Sequence, residues 1–311
     1  MQALQDNNLG DRLSLKAAGR TLSIDSLPAG GNYGGVLVAV VDGAGREVFK
    51  DVYQRGQRIV FSPVLRTSGA YRLCVYAGPA MDGRYHSWFG GSSGIPLLFD
   101  GRSLSFQAAP FMLANSKFVH DLPVSRAFLD ECLEPDPDIQ CGSAAIRALA
   151  AQIKKGRIFP ESILLGVNDW VARNISYDMD ALIGNRYRFD DNSALRVLET
   201  RRSVCGGYHN LTSAILRACG IPTVGVTCFA LGRSTTGWWY DADNMNQDAN
   251  HIMTAAFVRG RWRLMDVTWD SDLEYCRGRV VARSGLGPSR SYCDASIPYI
   301  SLTHRFREYE V

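Results

Sequence analysis

The chain has 311 residues, 46% of them hydrophobic and 21% charged, enough to bury one large core or two ordinary ones. Its 34 basic and 31 acidic residues are interspersed, giving a formal charge of +3, and no basic run marks a nucleic-acid partner. The apolar runs are strand-length, as at residues 36–41, so no membrane span is expected; Met1 to Asp6 lacks a basic region followed by an apolar one, so the expectation is a soluble chain without a signal peptide.

Residues 1–18 are polar and read as an arm. From Arg20 to about Ala109 the pattern is one of short strands, at 21–24, 36–41, 46–53, 58–61, 71–76, 96–99 and 103–107. Turn signals separate them, at Asp42-Gly43-Ala44-Gly45, Asp82-Gly83, Gly90-Gly91 and Asp100-Gly101. Many short strands with almost no helical periodicity predict an antiparallel β-sandwich over residues 1–120. No titratable cluster stands out in it, so it reads as a spacer or as a binding module for a protein or glycan partner.

A mixed connection over 121–137 is broken by Glu134-Pro135-Asp136-Pro137, and an α+β domain is expected from 138 to 311. Ile146, Leu149, Ala150 and Ile153 form one helical stripe. Pro160 starts a second helix, with Ile163, Leu164, Val167, Trp170 and Val171 on its apolar face. A short helix over 193–199 precedes Cys205. Tyr208, Leu211, Ile215 and Ala218 then recur at helical spacing until Gly220 and Pro222 end the helix. Strands follow at 223–231, 251–258 and 261–267, with a long polar loop at 232–250 carrying Trp238, Trp239 and Tyr240. A loop of that length in a compact domain is usually functional or disordered, and its three aromatics read equally as a substrate lip or as packed residues.

Cys205 falls at the start of its helix, where unpaired N–H groups and the dipole favour a thiolate. Gly206 and Gly207 clear side-chain bulk from beside the sulfur. If Arg259-Gly260 is a two-residue turn, Val258 pairs with Arg261 and Met253 faces Asp266, which sets His251 diagonal to Asp266 on one sheet face, about 7–8 Å away at the backbone. Cysteine, histidine and aspartate so placed suit thiol acyl transfer: Cys205 as nucleophile, His251 as base and acid, Asp266 holding the imidazole tautomer. A zinc site on Cys205 and His209 with Cys219 or Cys228 has no completing ligand-pair spacing, so no metal and no cofactor is expected.

Several of these segments resemble the transglutaminase-like superfamily, whose fold is related to papain. Arg201-Arg202-Ser203-Val204-Cys205-Gly206-Gly207-Tyr208 resembles its nucleophile motif, and Asp266-Val267-Thr268-Trp269-Asp270 is similar to its aspartate motif. His251 heads a strand, as the family's histidine does; it lies 46 residues after the cysteine and 15 before the aspartate. Upstream, Asn168 to Asp178 is similar to the pre-catalytic helix with its Tyr-Asp ending, and Gly220-Ile221-Pro222 to the exit of the cysteine helix. The resemblance covers about 138–304. It implies a Cys205–His251–Asp266 triad acting on peptide or glutamine amides in a protein or peptide substrate. The resemblance fits peptidase and cross-linking chemistry alike; the sequence shows no obvious acidic cluster of a calcium site, and on that ground hydrolysis is the expectation. The backbone N–H of Cys205 is then the natural oxyanion donor, Tyr177 and Gly206 are further candidates, and Trp269 is a packing wall behind the triad. Many bacterial relatives follow the histidine with Ala-Trp-Asn; here Ile252-Met253-Thr254 stands instead. The competing expectation is a catalytically degenerate domain kept for binding.

Overall fold

In the computed structural model the chain forms two compact units, and residues 3–4, 6–8, 13–27, 33–78, 86–87, 94–188, 191–232, 239 and 242–311 are described. One unit comprises Met1–Ser116, Ala230–Asp248 and Ser296–Arg305; the other comprises Lys117–Phe229, Ala249–Ala295 and Phe306–Val311. Among the described residues no helix is long and apolar enough to cross a membrane.

The first unit is β-rich, as expected. A seven-stranded antiparallel sheet is built on Gly35–Asp42 and Gly69–Gly78, and a four-stranded antiparallel sheet on Ser14–Ala18, Thr21–Ser26 and Ile59–Phe61. Turn chemistry acts where the sequence places it. Asp42 Oδ1 accepts the Ala44 and Arg46 N–H groups, and Asp100 Oδ1 accepts those of Arg102 and Ser103. The turns expected at Asp82-Gly83 and Gly90-Gly91 lie outside the described residues. The arm expected over 1–18 is corrected at its end: Ser14–Ala18 is a full strand, because Leu13 and Leu15 are buried to within 1% and anchor it.

The second unit wraps the helix Cys205–Ala218, hereafter the cysteine helix. It is buried on nearly every side, by Ala144–Lys154, Pro160–Asn174, Ala194–Thr200 and the strand His251–Val258. Burial favours pairing of its polar side chains, and three of them are paired with the surrounding backbone and side chains. Arg217 donates to Thr223 Oγ1 at 3.0 Å and to Glu134 O at 2.6 Å; His209 Nδ1 pairs with Thr254 Oγ1 at 2.9 Å; the Tyr208 hydroxyl donates to Ile175 O at 2.7 Å. A four-stranded sheet runs in the order Arg261–Met265, His251–Val258, Thr223–Ala230, His304–Glu310. A second sheet, Arg202–Ser203, Ser176–Asp178, Leu273–Cys276 and Arg279–Ala282, has two parallel pairings and one antiparallel, so the second half is not purely antiparallel. The stretch read as a mixed connection carries the helix Arg126–Glu131, capped by Ser125, and a further helix, Met112–Asp121, closes the 1–120 span that was expected to hold strands alone.

Ser143 caps Ala144–Lys154 and Pro160 opens the next helix at its first turn. The two glycines after Cys205 differ. A Cβ on Gly207 would lie 2.1 Å from Ser203 Oγ and 2.6 Å from Val197, whereas one on Gly206 would meet nothing within 4 Å. Ala at 207 therefore has to displace a packed strand and helix. Gly207→Ala is expected to destabilise the protein by about 3 kcal/mol, the upper end for overpacking, while Gly206→Ala should be neutral or slightly stabilising. Urea-unfolding midpoints of the two variants check this; equal midpoints would refute the packing argument.

Candidate active site

Cys205 is the first residue of its helix. Val204 at the N-cap is extended and offers no side-chain cap, so the first-turn N–H groups stay directed at the region of the sulfur. Arg201 (φ 59°) ends the preceding helix in a left-handed turn, and Arg202–Ser203 then pairs in parallel with Ser176–Asp178, Tyr177 opposite Ser203. This brings Tyr177 beside the cysteine.

The histidine hairpin has the expected register. Arg259 (φ 51°) and Gly260 (φ 78°) form its two-residue turn, and pairs run from Val258↔Arg261 to Thr254↔Met265. Asp266 follows directly. Its Oδ2 accepts from His251 Nε2 at 2.7 Å, and its Oδ1 caps the short helix Val267–Asp270 through the Trp269 N–H at 3.2 Å. The strand stops at Met265, and Thr268 lies in that short helix.

Asp266 is 1% exposed, so its attraction for the imidazole is little screened by water. Burial disfavours a charged His251, but the Asp266 charge and hydrogen bond, with the Cys205 sulfur, outweigh it and lift the imidazole to about 10. Burial likewise pushes the Cys205 thiol up; the hydrogen bond and charge of His251 and the Ile252 backbone N–H outweigh that and bring it below its ordinary range. The opposite shifts of these two hydrogen-bonded partners mean that each favours the charged form of the other. Nε2 serves Asp266, which leaves Nδ1 for the sulfur.

The surroundings follow from the same packing. The Trp269 ring stands 6.2 Å from the His251 ring and 5.3 Å from the Tyr292 ring. Tyr177 is raised, chiefly by burial and then by the Cys205 charge. Gly206 presents open space at its Cα. Two contributors were not anticipated. Ile252 supplies its N–H to the sulfur, and Cys228 sits opposite His251 in the sheet, its thiol pushed well up by burial and by the Asp266 and Cys205 charges. Only the pairing of 223–230 with 251–258, a non-local fact, would have revealed Cys228.

Three further side chains lie in the interior. Trp239 is 2% exposed; its indole donates to Leu302 O at 2.9 Å and packs edge-on against Phe111 at 5.0 Å, so it is an interior residue rather than part of a lip. Trp238 and Tyr240 lie outside the described residues. His209 is buried, held neutral with its pKa lowered to about 3 mainly by burial, and engaged with Thr254; among the described residues it forms no ligand cluster with Cys205, Cys219 or Cys228. His304 is fully buried, its Nδ1 bonded to Thr303 Oγ1 at 2.8 Å.

A sequence profile of the transglutaminase-like superfamily matches residues 147–267, a span containing Tyr177, Cys205, His251 and Asp266. The kyphoscoliosis peptidase of Mus musculus is 27% identical over 107 residues, which is 33% of this chain and 15% of that protein. Its Homo sapiens counterpart is 28% identical over 108 residues, with the same coverage. The chain therefore aligns with about a seventh of the length of these curated relatives. The crystal structure of red sea bream transglutaminase aligns over 91% of this chain and 53% of its own, at 14% identity and a TM-score of 0.32.

The paired shifts have a direct readout in alkylation by iodoacetamide. The rate at Cys205 should rise with pH at a midpoint below 9, since only the thiolate reacts. In His251→Ala the favourable charge and hydrogen bond are gone and burial remains, so the midpoint should move up by roughly 1–3 units. A wild-type midpoint near 9, unchanged in the variant, would rule the pair out.

Proposed function

We propose that this chain, a member of the transglutaminase-like superfamily through residues 147–267, carries out thiol-dependent acyl chemistry on peptide or glutamine-type amides. The observation that carries the proposal is the 2.7 Å bond from His251 Nε2 to a buried Asp266, coupled to a Cys205 thiol lowered by the same imidazole.

The Cys205 thiolate attacks the amide carbonyl, and the oxyanion forms next to the N–H groups of the first helical turn. His251 passes its proton from Nδ1 to the leaving nitrogen as the C–N bond breaks, giving a thioester on Cys205. Asp266 holds the imidazole in the orientation that presents Nδ1 to the sulfur. A second nucleophile, deprotonated by the now neutral His251, then attacks the thioester and restores the thiol. Water gives hydrolysis, and a primary amine gives a new amide. The triad serves both equally; hydrolysis is the favoured reading, matching what the two curated relatives are named for.

The pKa shifts set the pH window. Acylation needs the thiolate, so its rate rises as pH passes the lowered thiol value. It also needs the imidazolium proton, so the rate falls as pH passes about 10, where His251 deprotonates. Asp266→Asn removes the charge that raises His251, so the alkaline limb should move to lower pH and the rate should drop by roughly 10²–10⁴-fold. An alkaline limb that stays near 10 in this variant would show that Asp266 does not tune the histidine.

Mass spectrometry of peptide mixtures incubated with the protein and a primary amine separates the outcomes: cleavage fragments, a +1 Da deamidation, or amine incorporation, each absent with Cys205→Ala. A reactive, low-pKa thiol that gives none of the three across diverse peptides would favour a binding domain instead.

A further inference from the structure

The second unit exposes an apolar pair at a basic turn that the proposed chemistry does not use. Ile158 is 82% exposed and Phe159 56%, consecutive residues in the connection between the helices Ala144–Lys154 and Pro160–Asn174. Single exposed apolar residues are ordinary, but two adjacent ones ringed by cations are not explained by packing. Lys154 and Lys155 precede them, both exposed and without an ionic partner among the described residues. The Arg259-Gly260 turn of the histidine hairpin lies against the same place. Arg259 sits 5.7 Å over the Phe159 ring and bonds Glu161 at 2.8 Å, and Arg263 approaches Glu161 at 3.7 Å.

The charge balance here is one-sided. Among the described residues, the ion pairs made by Lys154, Lys155, Arg157, Arg259, Arg261 and Arg263 are to Glu161 and Asp294 alone, and both carboxylates are paired with arginines. Arg157 is folded back onto Ile153 O, so the outward charge is that of the two lysines, Arg259 and Arg261. Arg259 and Arg261 have side chains 58% and 64% exposed.

We propose that this tip is an interfacial docking surface for an anionic lipid bilayer, with Ile158 and Phe159 entering the headgroup–acyl boundary and the four cations contacting anionic headgroups. An acidic protein would satisfy the charges but leaves the protruding Ile-Phe pair without a role; a bilayer uses both. The position suits a working enzyme. The tip lies at the far end of the strand His251–Val258, eight residues at about 3.4 Å each or roughly 25 Å from His251, so docking leaves the candidate site uncovered.

Vesicle co-sedimentation of the whole chain at 0.15 M salt tests this. Vesicles of 70% phosphatidylcholine and 30% phosphatidylserine should pellet the protein, and pure phosphatidylcholine vesicles should not. Lys154→Gln with Lys155→Gln should weaken binding about fivefold per lysine removed. Ile158→Ser, at a solvent-exposed position, should weaken it about tenfold while leaving the thermal midpoint unchanged. The proposal is overturned by no pelleting with anionic vesicles, by equal pelleting with neutral ones, or by unaltered binding of Ile158→Ser. Binding to polyglutamate without binding to vesicles would assign the tip to an acidic protein and overturn it as well.

Discussion

One carboxylate sets the geometry around Cys205. Asp266 sits where a strand ends and a short helix begins, and its two oxygens are used in opposite directions: one accepts from His251, the other caps the helix through Trp269. The cap fixes the carboxylate's rotamer, and the fixed carboxylate fixes the imidazole. Because Asp266 is sealed from water, the same contact that orients His251 also charges it. Local structure and electrostatics therefore rest on a single side chain.

The cysteine helix supplies the other half. A helix buried on nearly every side is rigid, so its N-terminus can hold a sulfur in place against a neighbouring strand. The cost of burying His209 and Arg217 is offset because each is bonded to the strands around it: His209 to Thr254, Arg217 to Thr223. Gly207 permits the closest approach, letting Ser203 and Val197 press against the first turn. Gly206, next to it, leaves the Cα beside the sulfur uncovered. Adjacent glycines thus serve different ends, one for packing and one for access.

Much of this was legible in the residues. The periodic apolar stripes marked the helices, and Arg259-Gly260 predicted the hairpin register that brings His251 to Asp266. The same dipeptide chemistry recurs at Arg277-Gly278 (φ 54° and 75°), the turn of the hairpin Leu273–Cys276 and Arg279–Ala282, which was not anticipated. Its strands are four residues each, too short for alternation to stand out. Ser14–Ala18 escaped for a similar reason, being polar apart from the apolar residues that anchor it. Trp239 misled because an aromatic triplet on a polar loop suggests a surface, whereas Phe111 and Leu302, distant in sequence, make an interior for it.

The sequence by itself determined most of the elements and where three titratable residues fall in them: a helix-start cysteine, a strand-start histidine and an aspartate at a strand's end. These depend on local periodicity, caps and turns, which neighbouring residues dictate. Tertiary structure alone decided which groups surround them. It set Cys228 opposite His251, brought the Ile252 N–H to the sulfur and buried Asp266 deeply enough to raise His251 to about 10. Burial and cross-strand neighbours are properties of the assembled core, and a low-dielectric surrounding is something no single segment can specify.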